Sequence, residues 1–279
     1  MGLSMYRKGY TGFNYHVTGG HGASDIWVVS LRGVDLTELD VTILDSEESD
    51  RAAALLQPGD RERYVASHLV LRLVLGEHLD LSPRAIRYVR EPCPRCGAPH
   101  GRPVLDGSDP PLHFSLSRSG DFALIVIASS PVGVDVEALS RATAVNDLTK
   151  LLHPAECAEI ASASPSMRSA AFMCIWTRKE AYLKGTGTGL THDLAADYVG
   201  VEARAPTPSG WTLATVPVAR GYAGAVAILG RHELALHPMI TSATRFQGLV
   251  RTGKRREAPS LRSTAAQVVP RVSTQEAPR

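Results

Sequence analysis

The chain has no apolar run approaching the roughly 20 residues that a membrane helix needs, so no spanning segment is expected. Cysteine is scarce, with 4 in 279 residues. That is too few for a disulfide framework, and a reducing cytoplasm is the natural expectation. Neither sign of charge is in excess: 30 Lys and Arg stand against 28 Asp and Glu, net +2. Bulk electrostatics therefore argue neither for nor against nucleic acid. The opening MGLSMYRKGYTGFNYHVTGGHGASD lacks an apolar h-region followed by a cleavage site, so secretion is not expected. What is present is an ordinary globular composition, 44% hydrophobic and 21% charged. Its length suits one large domain or two modest ones.

Residues 1–24 are Gly-rich and polar without sustained periodicity and read as a flexible leader. Residues 236–279, above all from Thr241 onward, are rich in Arg, Ser and Pro and poor in large apolar residues. Such a segment cannot bury enough surface to offset its ordering entropy, so it reads as a disordered basic tail. Its cluster Lys254, Arg255 and Arg256 could touch an acidic partner or nucleic acid; a solvated tail is the plainer reading.

Between these ends, two stretches follow a similar course. In the first, 25–130, a strand is expected at 26–31 and a helix at about 60–80, where Tyr64, Leu71, Val74, Leu75 and Leu79 recur at helical spacing. A Cys/Pro/Gly-rich loop at 91–111 then leads to strands at 113–117 and 122–129, joined by the turn Arg118-Ser119-Gly120-Asp121. In the second, 131–235, a strand at 132–137 precedes helices at about 145–162 and 166–184 and strands at 196–203, 211–217 and 222–229. A strand, helices and an antiparallel pair occurring twice predicts an α+β fold of two similar halves packed side by side.

Two segments carry candidate chemistry. In VGVDVE, Val132, Val134 and Val136 share one face while Gly133, Asp135 and Glu137 share the other. On a buried strand the two carboxylates need a counter-charge, and a divalent cation is an obvious one. A solvated polar face on an edge strand is the competing reading. In the helical run WTRKEAYLK, Glu180 and Lys184 are four residues apart and share a face, and Gly185 is a stop signal. They form either a surface ion pair or a metal or base carboxylate beside a phosphate-binding ammonium.

Other features are weaker. Gly185-Thr-Gly-Thr-Gly follows a helix where a phosphate loop would precede one, and reads as a helix stop. Cys93-Pro-Arg-Cys96 with His100 supplies the first half of a zinc knuckle; no second CxxC or HxxxH completes it. Arg61, Arg63, Arg72, Arg102 and Arg118 are singly ordinary surface arginines, but gathered at one cleft they would suit a ligand with several phosphates.

The order of these motifs resembles a known family. Arg63 with Arg72 on one helix, GRP at 101–103, FSLSRSG at 114–120, VGVDVE at 132–137 and WTRKEAYLK at 176–184 are similar to the 4′-phosphopantetheinyl transferases. The likeness covers roughly residues 25–235 and points to the larger, pseudodimeric, surfactin-synthetase-activating branch. It implies a coenzyme A site in the cleft between the halves and transfer of the phosphopantetheine arm to a serine of an acyl or peptidyl carrier protein. Adenosine 3′,5′-bisphosphate would leave. Asp135, Glu137 and Glu180 match the family's magnesium ligands (manganese is an alternative ion), and Glu180 also matches the residue placed to take the serine proton. Lys184 matches the lysine at the pyrophosphate, Arg63 and Arg102 match basic positions near the 3′-phosphate and adenine, and Glu156 matches an acidic position of less defined role. The resemblance places Ser117 and Arg118 among the coenzyme contacts. Many relatives have LSHSG where this chain has Leu116-Ser117-Arg118-Ser119-Gly120, and arginine cannot exchange a proton near neutral pH.

The alternatives are a degenerate relative that binds coenzyme A without transferring anything, and a zinc- or nucleic-acid-binding module using Cys93, Cys96 and the tail. The first is opposed by the intact acidic trio and Lys184, and the second leaves those residues without a purpose. Nucleic acid and membranes are not expected partners, and two internal halves make a monomer the default.

Overall fold

A computed structural model describes residues 15–19, 22–94, 96–99, 101–107, 111–139, 145–189, 192–201, 207–230 and 240–246. In chain order the elements are β1 (Tyr15–Gly19), β2 (Gly22–Ser30), α1 (Ser46–Ala54), α2 (Pro58–Leu79), β3 (Tyr88–Arg90), β4 (Pro103–Leu105), β5 (His113–Ser119) and β6 (Phe122–Ala128). There follow β7 (Val132–Ala138), α3 (Val145–Thr149), α4 (Pro154–Ser162), α5 (Arg168–Thr186), β8 (Trp211–Thr215), β9 (Tyr222–Leu229) and β10 (Ile240–Ser242). The fold is α+β, as the element pattern predicts. Among the described residues no helix is long and apolar enough to cross a membrane.

One sheet runs β1-β2-β6-β5, with β10 also paired to β2; another runs β7-β9-β8; β3 and β4 form a separate pair. In both β2-β6-β5 and β7-β9-β8 the last strand in the chain lies in the middle, paired antiparallel on each side. The run FALIVIA on β6 is apolar without alternation because both its faces are covered. Ala123, Ile125 and Ile127 join Trp27 and Val29 of β2 beneath α2 residues such as Val70 and Val74. Phe122, Leu124 and Val126 join Ile26 and Val28 against Val132, Val134 and Val136 of β7 and Val226 of β9. The alternation read in VGVDVE is therefore real, and its valine face is the shared core between the sheets.

The two sheets meet along β5 and β7. The even-numbered N–H groups of β7 point away from β9 and would be orphaned on an edge. Serines take them up: Val134 N–H donates to Ser115 Oγ at 3.2 Å, Val136 N–H to Ser117 Oγ at 3.3 Å and Ala138 N–H to Ser119 Oγ at 3.1 Å. The period-two Ser-x-Ser-x-Ser of β5 is thus a side-chain substitute for a strand ladder.

On the other face of β7 lies α5. A Cβ added to Gly133 would overlap the carbonyl oxygen of Ala181 and lie 2.5 Å from Gly185 N. Only glycine permits this approach, and small Ala225 and Ala227 of β9 extend the same bed, packed in one cluster with Ile175 and Ala181 of α5. Gly133→Ala is expected to lower stability by about 1–3 kcal/mol by pushing α5 off β7. Urea denaturation checks this, and an unchanged midpoint would refute the contact.

Several expectations are corrected. The leader expected at 1–24 contains strand: β1 pairs with β2, which itself starts at Gly22. The tail expected from 236 contains β10, which pairs parallel with β2 from Ile240↔Val28 to Ser242↔Ser30, followed by a 3-10 turn at Ala243–Phe246. Residues 1–14 and 247–279, including the basic cluster, lie outside the described residues. The helix expected over 145–162 is two helices. Pro154 opens α4 at its first turn and the His153 side chain accepts from Ala155 N–H, so the chain restarts there. No strand forms over the described part of 196–203. Side chains saturate that backbone: Glu156 accepts from Val199 N–H at 2.8 Å, Glu159 from Val201 N–H at 3.1 Å, and Arg178 donates to Val199 O at 2.9 and 3.0 Å.

Candidate functional site

Asp135 and Glu137 leave β7 on the face covered by α5, and Glu180 and Lys184 leave α5 one turn apart. Lys184 Nζ donates to Asp135 Oδ1 at 2.6 Å and to Ser117 Oγ at 3.1 Å. Ser117 Oγ in turn donates to the same Asp135 oxygen at 2.8 Å, and Ser119 Oγ donates to Glu137 Oε2 at 2.8 Å. Asp135 is only 3% exposed. Burial raises its carboxyl above the usual range, against the pull of Lys184 and Ser117. Glu180 is pushed up to about 7, first by burial and then by the Asp135 charge, with Glu137 adding to it and Lys184 opposing. Asp135, Ser117 and Lys184 are thus bonded to one another, and the charges of Asp135, Glu137 and Lys184 all act on Glu180.

Among the described residues, no group of three or more His, Cys, Asp or Glu is arranged to hold a metal as it stands. Asp135 Oδ1 accepts from Lys184 and Ser117, and Glu137 Oε2 accepts from Ser119. The donor set nevertheless suits a cation. Asp135 Oδ2 is buried without a hydrogen-bond partner. Three carboxylates share the neighbourhood with the Lys184 ammonium, and the charges of Asp135 and Glu137 add to the burial that lifts Glu180. A divalent ion would relieve both conditions.

A cavity of about 890 Å³ opens beside this cluster, and Lys184 lines it. Arg51, Arg90, Arg102 and Arg118 line it too, with Tyr64, His68 and Tyr88 among its aromatic wall. Arg102 is held at 2.7 Å by Glu91 and donates to Gly185 O at 2.6 Å, which ties the β3–β4 hairpin to the end of α5. The Arg118 guanidinium lies 5.1 Å from the centre of the Tyr64 ring. Tyr64 stacks on His68, ring centres 3.9 Å apart. Burial holds the His68 imidazole down to about 4, helped by the charges of Arg118, Arg51 and Arg72 and opposed by its bond to Tyr64 O.

Other expected residues lie elsewhere. Arg63 is not among the cavity's lining residues; it pairs with Asp121 at 3.1 Å and Asp60 at 3.6 Å. Arg72 is fully buried, bonded to Glu48 and Asp45 at 2.6 Å each, so it anchors α1 to α2 and presents nothing to a ligand. Arg61 donates to the carbonyls of Ala52, Ala53 and Leu55 at the end of α1. Glu156 is fully buried and paired with Lys179 at 2.8 Å. Cys93 is buried and Cys96 exposed, while His100 lies outside the described residues.

Arg51, Arg90 and His68 were not singled out from the sequence. Asp45-x-x-Glu48 is a capping-box signature, and both of its reciprocal bonds are present at the start of α1. Reading it would have established α1 and placed Arg51 on it.

Comparison with known proteins converges on one family. Residues 131–220 match the 4′-phosphopantetheinyl transferase superfamily model. That span contains β7 and α5, hence Asp135, Glu137, Glu180 and Lys184. The chain is 29% identical over 194 residues to the 4′-phosphopantetheinyl transferase HetI of Nostoc sp., covering 67% of this chain and 79% of that protein. It is 22% identical over 160 residues to 4′-phosphopantetheinyl transferase Sfp of Bacillus subtilis, covering 53% of this chain and 67% of that protein. A relative from Synechocystis sp., 30% identical over 155 residues (54% of this chain), is spanned for 60% of its own length.

Proposed function

We propose that this chain, which belongs to the 4′-phosphopantetheinyl transferase superfamily, moves the 4′-phosphopantetheine arm of coenzyme A onto a serine of an acyl or peptidyl carrier protein, releasing adenosine 3′,5′-bisphosphate. The observation that carries the proposal is the position of Lys184, which binds the buried Asp135 and also lines the arginine-rich cavity. A ligand whose phosphates sit against Lys184 would have the rest of its charge near Arg102 and Arg118.

Asp135, Glu137 and Glu180 would hold magnesium or manganese, and the ion would neutralise the pyrophosphate and its leaving oxygen. Glu180, one helical turn from Lys184 and close to Asp135, would also take the serine proton. Lys184 orients the phosphate and Arg118 contacts the ligand as a fixed cation. Ser117 holds both Lys184 and Asp135 in place, which makes it a positioning residue. We read the chain as two similar halves, a pseudodimer, on the strength of the repeated strand order. Its site would then be complete within one cytoplasmic monomer. Among the described residues nothing favours a zinc- or nucleic-acid-binding module or a degenerate coenzyme A-binding relative.

The test is to mix the protein with coenzyme A, magnesium and a panel of carrier proteins and to weigh the carriers. A gain of the phosphopantetheine mass, lost with EDTA and in Glu180→Gln, is expected. No gain on any carrier would overturn the proposal. Arg118→Ala is expected to raise the KM for coenzyme A about tenfold, the cost of one lost charged contact, with kcat little changed. An unaltered KM would remove Arg118 from the ligand.

A further inference from the structure

Besides its arginines the cavity is lined by Asp45, Glu47, Glu48 and His68, none of which the transfer chemistry uses. His68 lies on α2 among permanent cations, where a protonated imidazole would add to an already basic wall. Its geometry points to another role. Nδ1 sits 2.9 Å from Tyr64 O. A carbonyl can only accept, so Nδ1 must carry the proton. In the neutral ring Nε2 is then a bare lone pair, an acceptor. Stacking on Tyr64 fixes the ring plane, and Ser67 Oγ at 3.4 Å from Nδ1 supports the same edge. Among the described residues no protein group bonds Nε2.

The surroundings say which part of the coenzyme this acceptor meets. On α1, Arg51 is three residues from Glu48, and both line the same cavity as His68; on β3, Arg90 lines it as well. Arg118 stands over the ring that His68 stacks on. Arg51 and Arg90 share one carboxylate, Glu47, at 2.7 and 3.8 Å, so two guanidinium groups face one acid; a group that brings negative charge for them and a neutral donor for His68 suits this wall. The 3′-phosphorylated nucleoside carries both. The pantetheine arm beyond the pyrophosphate carries no charge for Arg51, Arg90 and Arg118 to meet.

We propose that His68 Nε2 accepts a hydrogen bond from a neutral donor of the coenzyme's nucleoside, either the exocyclic amine of the base or the ribose 2′-hydroxyl, and so helps select the nucleotide. This rests on the coenzyme A reading above. His68 is a specificity residue for the ligand and takes no part in proton transfer.

Calorimetry with adenosine 3′,5′-bisphosphate, its inosine counterpart and its 2′-deoxy counterpart tests the idea without any carrier protein. The wild type is expected to bind one of the two analogues about tenfold more weakly, the size of one lost hydrogen bond to a buried partner. The inosine arm reports on the amine and the deoxy arm on the hydroxyl. His68→Phe, which keeps a flat ring, should bind the parent nucleotide about as weakly as that analogue and no longer discriminate. His68→Gln, which restores an acceptor, should recover part of the preference and guards against misfolding of the Phe variant. Repeating the titration in buffers of different ionisation enthalpy should show no proton uptake. Equal binding of all three nucleotides overturns the inference, as does discrimination that survives in both variants. Uptake of a proton that His68→Phe abolishes also overturns it, because His68 would then be a phosphate-binding cation. If no nucleotide binds the wild type, the coenzyme reading itself fails.

Discussion

Asp135→Asn is expected to lower the rate of carrier modification on the order of 10²–10³-fold, as removal of one preorganised electrostatic group typically does, in a protein that still folds. The asparagine keeps the shape, and its Oδ1 can still accept from Lys184 Nζ and Ser117 Oγ, now 2.6 and 2.8 Å from Asp135 Oδ1. What changes is charge. The amide nitrogen takes the place of Asp135 Oδ2, the buried oxygen without a partner. A cation-binding lone pair becomes a donor aimed at the same place. Magnesium is therefore expected to raise the melting temperature of the wild type and to leave that of the variant unmoved, since an ion that binds only the folded state stabilises it by mass action. The two readouts separate loss of the metal from loss of the fold. Near-wild-type transfer by Asp135→Asn would sink the metal assignment.

The largest expected loss of stability lies at Lys179, next to Glu180 on α5. Lys179→Met should cost about 3–5 kcal/mol, the range for breaking a buried ion pair from one side. Lys179 is 2% exposed and Glu156 0%. The ammonium also donates to Leu194 O at 2.8 Å and Asp197 O at 2.5 Å, so its removal strands a buried carboxylate and loosens the segment after α5. Adding Glu156→Leu should return part of the loss by removing the stranded charge. The return is incomplete because His153 N–H and Val199 N–H, at 3.1 and 2.8 Å, then lose their acceptor. Urea denaturation of the two variants measures both steps. A single variant within 1 kcal/mol of wild type would show that the pair carries little. The family resemblance left the role of Glu156 undefined; its bonds make it the post that holds α4 against the 197–201 segment.

Much of this was legible in the one-dimensional pattern because the physics was local. Strand alternation in VGVDVE follows from a two-residue period, and it put Val132, Val134 and Val136 in the core and Asp135 and Glu137 opposite. The four-residue spacing of Glu180 and Lys184 set them on one face of α5. The capping box at Asp45 was equally local and was overlooked, and with it Arg51. Strands β1 and β10 were beyond such reading. Their partner is β2, far away in the chain for β10, and pairing rather than composition makes them strands.

The sequence by itself therefore determined which residues could form a charged site: the carboxylates on β7, the Glu–Lys pair on α5 and the serine alternation on β5. Only the tertiary structure decided which of them meet. Gly133 admits α5 against β7, the serines join β5 to the free edge of β7, and Lys184 is thereby carried to Asp135. The same packing turned Arg72 and Arg63 away from the cavity and brought in Arg51, Arg90 and His68. Spacing along a chain specifies a face. Which faces close on one another depends on burial and on satisfying every backbone donor, and those are properties of the whole fold.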